Sequence, residues 1–253
     1  HVTPSPFVLG FGILLVGMKL YERGASLGQV MAFLIASPWN SLSLTLIMVA
    51  LMGLKWTLVF MGLSMVIAIL SGLVFERLVA AGVLPSNPNT GDKPDNFHFF
   101  PEAKKQIKQV EWKPSLAATM LKEGFSESAM VLRWVFLGVV LAALIRTFVP
   151  TDQFAHYFGA TLSGLGLTII AATIIEVCSE GSTPIAADLL NRAKAPGNSF
   201  AFLMTGVATD YTEIMGIKET MKSWKIAFFL PLVTLPQVIT LSWMINQIAA
   251  ANH

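Results

Sequence analysis

The chain has 253 residues, of which 54% are hydrophobic and only 13% are charged, with a formal net charge of +2. Soluble domains carry about a quarter charged residues, so the composition excludes an ordinary soluble domain and favours a membrane protein. The near-neutral charge offers no basic surface for nucleic acid, and a single cysteine excludes an internal disulfide framework. No nucleotide-binding glycine loop, Gly-x-Ser-x-Gly elbow or His-Glu-x-x-His motif occurs, so we expect neither a cofactor nor an enzyme.

Apolar runs predict a first transmembrane repeat over residues 1–84. The runs cover residues 6–20, 27–54 and 56–74, at lengths that suit membrane helices. Ser37-Pro-Trp-Asn interrupts the second run, and Pro38 predicts two half-helices or one sharply broken span there. Because the chain starts with His1, we expect this repeat to be truncated at its N-terminus.

Residues 85–129 have a different composition and are predicted to join two repeats. Pro, Asn, Asp, Lys and Gly crowd residues 86–95, which indicates a solvated loop. Lysines are most frequent in this segment, so the positive-inside rule places it in the cytoplasm. Residues 116–129 mix polar and apolar side chains and predict an interfacial helix. This topology puts Lys19 and Arg23 on the opposite side of the membrane.

Residues 130–253 are predicted to form a second transmembrane repeat. The apolar runs 131–149, 162–177 and 226–248 predict spans, and residues 151–158 predict a short amphipathic helix at the surface. Two shorter apolar pieces lie at residues 185–191 and 199–207. Polar breaks occur at residues 176–184 and 208–213, where a lipid-embedded helix would carry apolar side chains.

The break at residues 176–184 reads Glu-Val-Cys-Ser-Glu-Gly-Ser-Thr-Pro. Charge inside a bilayer costs roughly 2.5 kcal/mol or more per group, so such residues usually face a cavity or a pathway. Gly181 and Pro184 predict an opened helix whose free backbone groups line a polar site. Thiolate and carboxylate together suit a metal, which gives the candidate ligand set Cys178, Glu176 and Glu180. Alternatively, the cysteine is a small buried hydrophobe and the glutamates lie at a helix end.

The second break carries Asp210 and Glu213, which share one helical face. They are candidates for proton coupling or cation binding. Alternatively, Asp210 caps the following helix, with Glu213 as its capping-box partner. In the first half, the side-chain amide of Asn40 either binds substrate or forms hydrogen bonds with backbone groups that Pro38 leaves without a partner.

The two halves are similar in sequence. Residues 23–34 (RGASLGQVMAFL) align without a gap with residues 192–203 (RAKAPGNSFAFL), and the same offset pairs residues 37–41 with 206–210. Corresponding polar interruptions are typical of transporters built from structural repeats. If Lys222 and Lys225 are cytoplasmic like the central loop, the repeats are inverted. The predicted fold is an all-α polytopic membrane protein with two pseudo-symmetric, inverted repeats and broken or re-entrant helices.

Three segments carry a resemblance to a known family: residues 176–186 (EVCSEGSTPIA), 197–204 (GNSFAFLM) and 209–213 (TDYTE). The chain resembles the bacterial and archaeal predicted permeases related to ArsP-type organoarsenical efflux permeases. The resemblance implies a multi-pass permease of the cell (inner, cytoplasmic) membrane. Family members typically carry a cysteine-containing element in each half, whereas this chain has only Cys178. Either the first-half cysteine lies before His1 or this branch lacks it, and this departure counts against thiol-based recognition of arsenicals.

The predicted function is secondary transport, with export of a small metal, metalloid or other small solute through a central polar site, driven by proton coupling. Charge is assigned to Glu176, Glu180, Asp210 and Glu213. Substrate contacts are assigned to Cys178, Ser179, Ser182, Thr183, Thr209 and Asn40, and helix breaks to Gly181, Pro184 and Pro38. The alternatives are a channel-like passive permease and a membrane-embedded enzyme or complex subunit that uses Cys178. The expected partners are the substrate, the lipid bilayer and, as an option, further copies of the chain.

Overall fold

The computed structural model describes residues 12–90, 132–133, 135–175 and 179–251. All regular structure in these ranges is helical. The helices are α1 (Gly12–Glu22), α2 (Leu27–Ala36), a 3₁₀ helix (Ser37–Asn40), α3 (Leu42–Met52), α4 (Leu54–Ala80), α5 (Val135–Phe148), α6 (Thr151–Phe158), α7 (Leu162–Ile175), α8 (Ser179–Asn191), α9 (Pro196–Thr209), α10 (Tyr211–Met221) and α11 (Trp224–Ala251). Most of the predicted loop and interfacial helix at residues 85–129 lies outside the described residues.

Helices α4 and α11 are each long and apolar enough to cross a membrane, with 27 and 28 residues. Two further pairs pass the same test when taken together. The first runs from α2 through the 3₁₀ helix into α3 with a bend of 50°, and the second joins α5 and α6 with a bend of 109°. The described ranges therefore contain up to four spans. Many large apolar side chains on these helices face outward, as a lipid environment requires.

The turn between α1 and α2 is attached to the segment that follows α4. The Asn87 amide donates hydrogen bonds to the carbonyls of Tyr21 (2.7 Å) and Ala25 (2.8 Å). Lys19 and Arg23 therefore lie at the same end of the bundle as residues 81–90, which we call the loop end. The prediction that they lie on the opposite side is wrong, because α2 and α3 continue in one direction and α4 returns along them.

The two most extensive helix contacts join α2 to α4 and α9 to α11. Each depends on a glycine near the start of the shorter helix. A Cβ on Gly28 would overlap the carbonyl oxygen of Gly72, and a Cβ on Gly197 would overlap that of Ser242. These are the two glycines that the sequence alignment pairs. Backbones come this close only where no side chain intervenes.

Two asparagines fix the start of α9. Asn246 accepts the Gly197 N–H at 2.7 Å and donates to Asn198 Oδ1 at 2.8 Å. Asn198 in turn donates to the carbonyls of Phe158 (2.8 Å) and Gly159 (2.9 Å). This buried chain of amides joins α9, α11 and the end of α6. We call this side of the bundle the far end.

Helices α8 and α9 occupy the interior. Every residue of α8 from Gly181 to Leu190 is buried, although the helix begins with polar residues. Phe200 on α9 packs against Phe60 of α4 and Trp39 of the 3₁₀ helix, with ring centroids 5.4 and 6.2 Å apart. The polar start of α8 therefore lies inside the bundle.

Candidate functional site

The two halves meet where α3 packs along α8. At the start of both helices, the Ser43 hydroxyl donates to Glu180 Oε1 at 3.4 Å, and Ser41 Oγ lies 2.7 Å from Ser43 Oγ. At their ends, Asn191 donates to the Leu51 carbonyl at 3.4 Å. The predicted site residue Glu180 is half-buried and faces the polar segment that follows the first break.

The first break lies where the sequence predicts it. Pro38 is in the 3₁₀ helix between α2 and α3, where the chain bends by 50°. The Ser37 hydroxyl donates to the Phe33 carbonyl at 2.5 Å, and the Ser41 side chain caps α3. Trp39 is only 4% exposed, and its indole N–H has no hydrogen-bond partner among the described residues. The side chain of Asn40 lies outside the description.

Gly181 and Pro184 lie within α8 and do not interrupt it, which differs from the prediction. α5 crosses α8 closely at Gly181 because Gly138 of α5 has no side chain; a Cβ on Gly138 would overlap the Gly181 carbonyl. Pro184 has no N–H, so the Glu180 carbonyl lacks its usual donor within the helix. α7 ends at Ile175 and α8 begins at Ser179; the residues between them, including Glu176 and Cys178, lie outside the described ranges.

The remaining polar residues of α8 are turned toward the protein. Thr183 is buried, and its hydroxyl donates to the Ser179 carbonyl one turn earlier at 2.8 Å. Ser182 is also buried, whereas Ser179 is half-buried. Of the predicted metal ligands, Glu180 is within the described chain, where no three His, Cys, Asp or Glu side chains form a metal-binding group.

The second break falls between α9 and α10. Asp210 Oδ1 accepts the Thr212 N–H at 2.7 Å and the Thr212 hydroxyl at 2.5 Å. Asp210 therefore caps α10, as the alternative interpretation expected, but it does so through Thr212 and not in a capping box with Glu213. The Thr209 hydroxyl donates to the Thr205 carbonyl at 2.8 Å. Glu213 lies half-buried in the first turn of α10. Within the described residues, no hydrogen bond or ion pair joins Asp210 or Glu213 to Glu180.

The structure also contains a charged cluster that the sequence interpretation missed. The Asp188 side chain is 1% exposed and accepts hydrogen bonds from Arg146 Nε at 2.9 and 3.0 Å and from Arg146 Nη2 at 2.5 Å. Arg192 Nη1 lies 3.5 Å from Asp188 Oδ2. The Arg192 guanidinium also lies over the Phe154 ring at 4.9 Å and donates to the Val149 carbonyl at 2.9 Å. These three charged residues are called the far-end cluster below.

The sequence did carry a signal for this cluster. Asp188 is a lone carboxylate in an apolar piece, and Arg192 follows it by four residues, a spacing that favours an ion pair on one helix face. The two acidic side chains of α8 are eight residues apart, which corresponds to about 12 Å along a helix. α8 therefore presents Glu180 to the first break and Asp188 to the far end.

Comparison with known proteins identifies the family. No curated protein and no solved structure matches the chain. A family model described as "Predicted permease" (ArsP_1) matches residues 8–247, nearly the whole chain, and confirms the resemblance inferred from the polar segments. The chain therefore belongs to the ArsP_1 family of predicted permeases, and its family and its apolar helices together identify it as a membrane transport protein.

Proposed function

We propose that the protein is a secondary transporter that exports a small metal, metalloid or other small solute through a polar site between α3 and α8. The contact between Ser43 and Glu180 carries this proposal. An ionisable side chain inside a membrane bundle is energetically costly and is usually retained for a substrate or ion pathway. Here it belongs to one half of the chain and faces hydroxyl groups of the other half.

In the proposed mechanism, Glu180 takes up a proton or cation, and Ser41 and Ser43 orient the solute beside it. Glu176 and Cys178 directly precede α8 in sequence, so they extend the same polar wall. Asp210 and Glu213 add negative charge at the second break, where Asp210 also caps α10. Ser179, Ser182, Thr183, Thr209 and Asn40 remain proposed contacts of the solute.

The proposal includes two inverted repeats. Its support is that α2 starts at the loop end, beside Asn87, whereas α9 starts at the far end, beside Asn246. α10 follows α9 and packs against α1, which ends at the loop end. The basic residues Lys19, Arg23, Arg77 and Lys222 then gather at the loop end, which we place in the cytoplasm by the positive-inside rule.

Glu180→Gln is expected to lower proton-driven flux by about tenfold or more, which corresponds to about 1.4 kcal/mol of lost transition-state stabilisation. The amide keeps the size of the side chain but can no longer take up a proton. The measurement is flux of zinc, copper, trivalent arsenicals and sulfur oxyanions in proteoliposomes with an imposed pH gradient. Glu219→Gln is the matched control, because Glu219 is exposed near the end of α10 and pairs with lysines.

Wild-type flux in Glu180→Gln would rule out this carboxylate as the coupling group. If the wild type transports the solute at a rate that does not depend on the pH gradient, the passive permease is favoured instead. Cys178→Ala tests the role of the thiol independently of the carboxylate. Full transport by that variant would exclude both a nucleophile and an essential soft-metal ligand at this position.

A further inference from the structure

A cavity of about 210 Å³ lies between α3, α5 and α8, at the interface of the two halves. Its walls are mostly apolar and include Leu51, Ala143 and Ala187. Arg146 and Asn191 supply its polar side chains. The cavity extends along α8 from Pro184, about one helical turn after Glu180, to Asn191, about three turns after it. Its polar side chains, Asn191 and the Arg146 that bonds Asp188, lie at the end away from Glu180, so they are separate from the carboxylate of the proposed transport site.

The charge around this cavity is positive. The far-end cluster contains two guanidinium groups and one carboxylate, which leaves a net charge of +1 when all are ionised. Asp188 is enclosed, whereas the Arg146 side chain is 59% exposed. The guanidinium of Arg146, and not the carboxylate of Asp188, is therefore the charged group that faces a ligand in the cavity.

The geometry of Arg146 leaves room for a second anion. Asp188 occupies the edge of the guanidinium formed by Nε and Nη2. A guanidinium has five N–H donors in a planar fork, and its other edge, formed by Nη1 and Nη2, suits a second pair of anionic oxygens. Among the described residues, no hydrogen bond is made by Arg146 Nη1. An anion can bind there while Asp188 keeps the side chain in place.

We propose that this cavity binds a small oxyanion through the free edge of Arg146 and the amide of Asn191. The apolar walls lower the local dielectric and strengthen the attraction between the guanidinium and the anion. Asp188 acts as a positioning residue that holds the guanidinium at the cavity. The phosphate group of a lipid shares the chemistry of a free oxyanion, and the experiment below separates these two sources.

The test measures binding of radiolabelled inorganic phosphate to the purified full chain in detergent, at constant ionic strength set with chloride. We expect saturable binding that unlabelled sulfate displaces. Arg146→Gln should weaken binding at least tenfold, whereas Arg133→Gln should leave it unchanged, because Arg133 is an exposed arginine near the start of the same span. Equal affinity in the wild type and Arg146→Gln, or no binding by the wild type, would overturn the proposal.

Arg146→Gln also removes the main partner of Asp188, so a second variant keeps the proposal testable if that protein fails to fold. Ala143→Leu fills the cavity from α5 and leaves all three charged residues intact. We expect it to fold and to lose phosphate binding, and wild-type affinity in this variant would contradict the site.

Nanodiscs distinguish the two sources of the anion. Phosphate binding that persists in discs rich in phosphatidylglycerol supports a free oxyanion as the occupant. Binding that appears in detergent but is lost in those discs would assign the cavity to a lipid phosphate and overturn the free-ion proposal. Glu180→Gln should bind phosphate normally, so failure of this site and failure of the proposed transport mechanism give different results.

Discussion

Gly197→Ala should destabilise the protein by ~2 kcal/mol or more, the upper part of the range for an overpacked interior. The added Cβ would overlap the Ser242 carbonyl and would lie 2.6 Å from Asn246 Oδ1, the atom that accepts the Gly197 N–H. Neither obstacle is the end of a flexible surface side chain, so α9 must move away from α11. The measurement is thermal unfolding of the detergent-purified protein, followed by tryptophan fluorescence.

Gly206→Ala is the matched control on the same helix. A Cβ at Gly206 meets nothing within 4 Å. Alanine is favoured over glycine in a helix by up to about 1 kcal/mol, so this variant should be as stable as the wild type or slightly more stable. Equal unfolding temperatures for the two alanine variants would contradict the close contact between α9 and α11.

Asp188→Asn is expected to cost about 3 kcal/mol of stability, near the lower end of the cost of removing one partner of a buried ion pair. The change leaves the Arg146 and Arg192 guanidiniums without their shared carboxylate. Arg192 suffers more, because its side chain is only 15% exposed and its Nη1 already lacks a hydrogen bond among the described residues. The exposure of Arg146 moderates the penalty, since solvent screens a charge at the surface.

Two controls define the cause of that loss. Asp152→Asn changes an exposed carboxylate at the start of α6 and should leave the unfolding temperature within error. In a double-mutant cycle, Arg146→Gln should cost less in the Asp188→Asn background than in the wild type, because the pair is already broken. Additive effects of the two substitutions would show that the ion pair does not contribute to folding.

The sequence predicted the long helix α4 better than its ends. The run at residues 56–74 lies inside α4, which extends from Leu54 to Ala80. Hydropathy identifies the part of a helix that faces lipid, whereas the helix itself continues as far as its backbone hydrogen bonds are formed. Glu76 and Arg77 lie beyond the predicted run yet within α4, where the Glu76 carboxylate accepts a hydrogen bond from the Ser26 hydroxyl.

The two breaks that follow from local chemistry were predicted correctly. Pro38 removes a backbone donor, and Asp210 offers its side chain to the next turn, so both effects can be read from neighbouring residues. Gly181 shows where this reasoning ends. α5 crosses α8 closely at this residue because Gly138, 43 positions earlier, has no side chain, and no local pattern reveals which helix will cross there.

The far-end cluster was missed for a similar reason. Arg146 lies near the end of an apolar run, where a basic residue usually marks only the membrane surface. Its carboxylate partner is 42 residues away, so the contact becomes visible only when α5 and α8 are placed side by side. The isolated Asp188 was the better clue, because an unpaired carboxylate in an apolar helix would be too costly to keep.

The amides that fix the start of α9 have a consequence for experiments in different buffers. Asn198 and Asn246 carry no charge, and their partners are backbone groups and each other. Acid does not titrate these amides and salt does not screen them, so the hydrogen bonds between α9, α11 and the end of α6 should be equally stable at different pH values and salt concentrations. If high salt destabilises the far end, the effect should therefore come from the ion pairs of Arg146, Asp188 and Arg192. Salt can then be used to weaken these ion pairs while the hydrogen bonds of Asn198 and Asn246 stay intact.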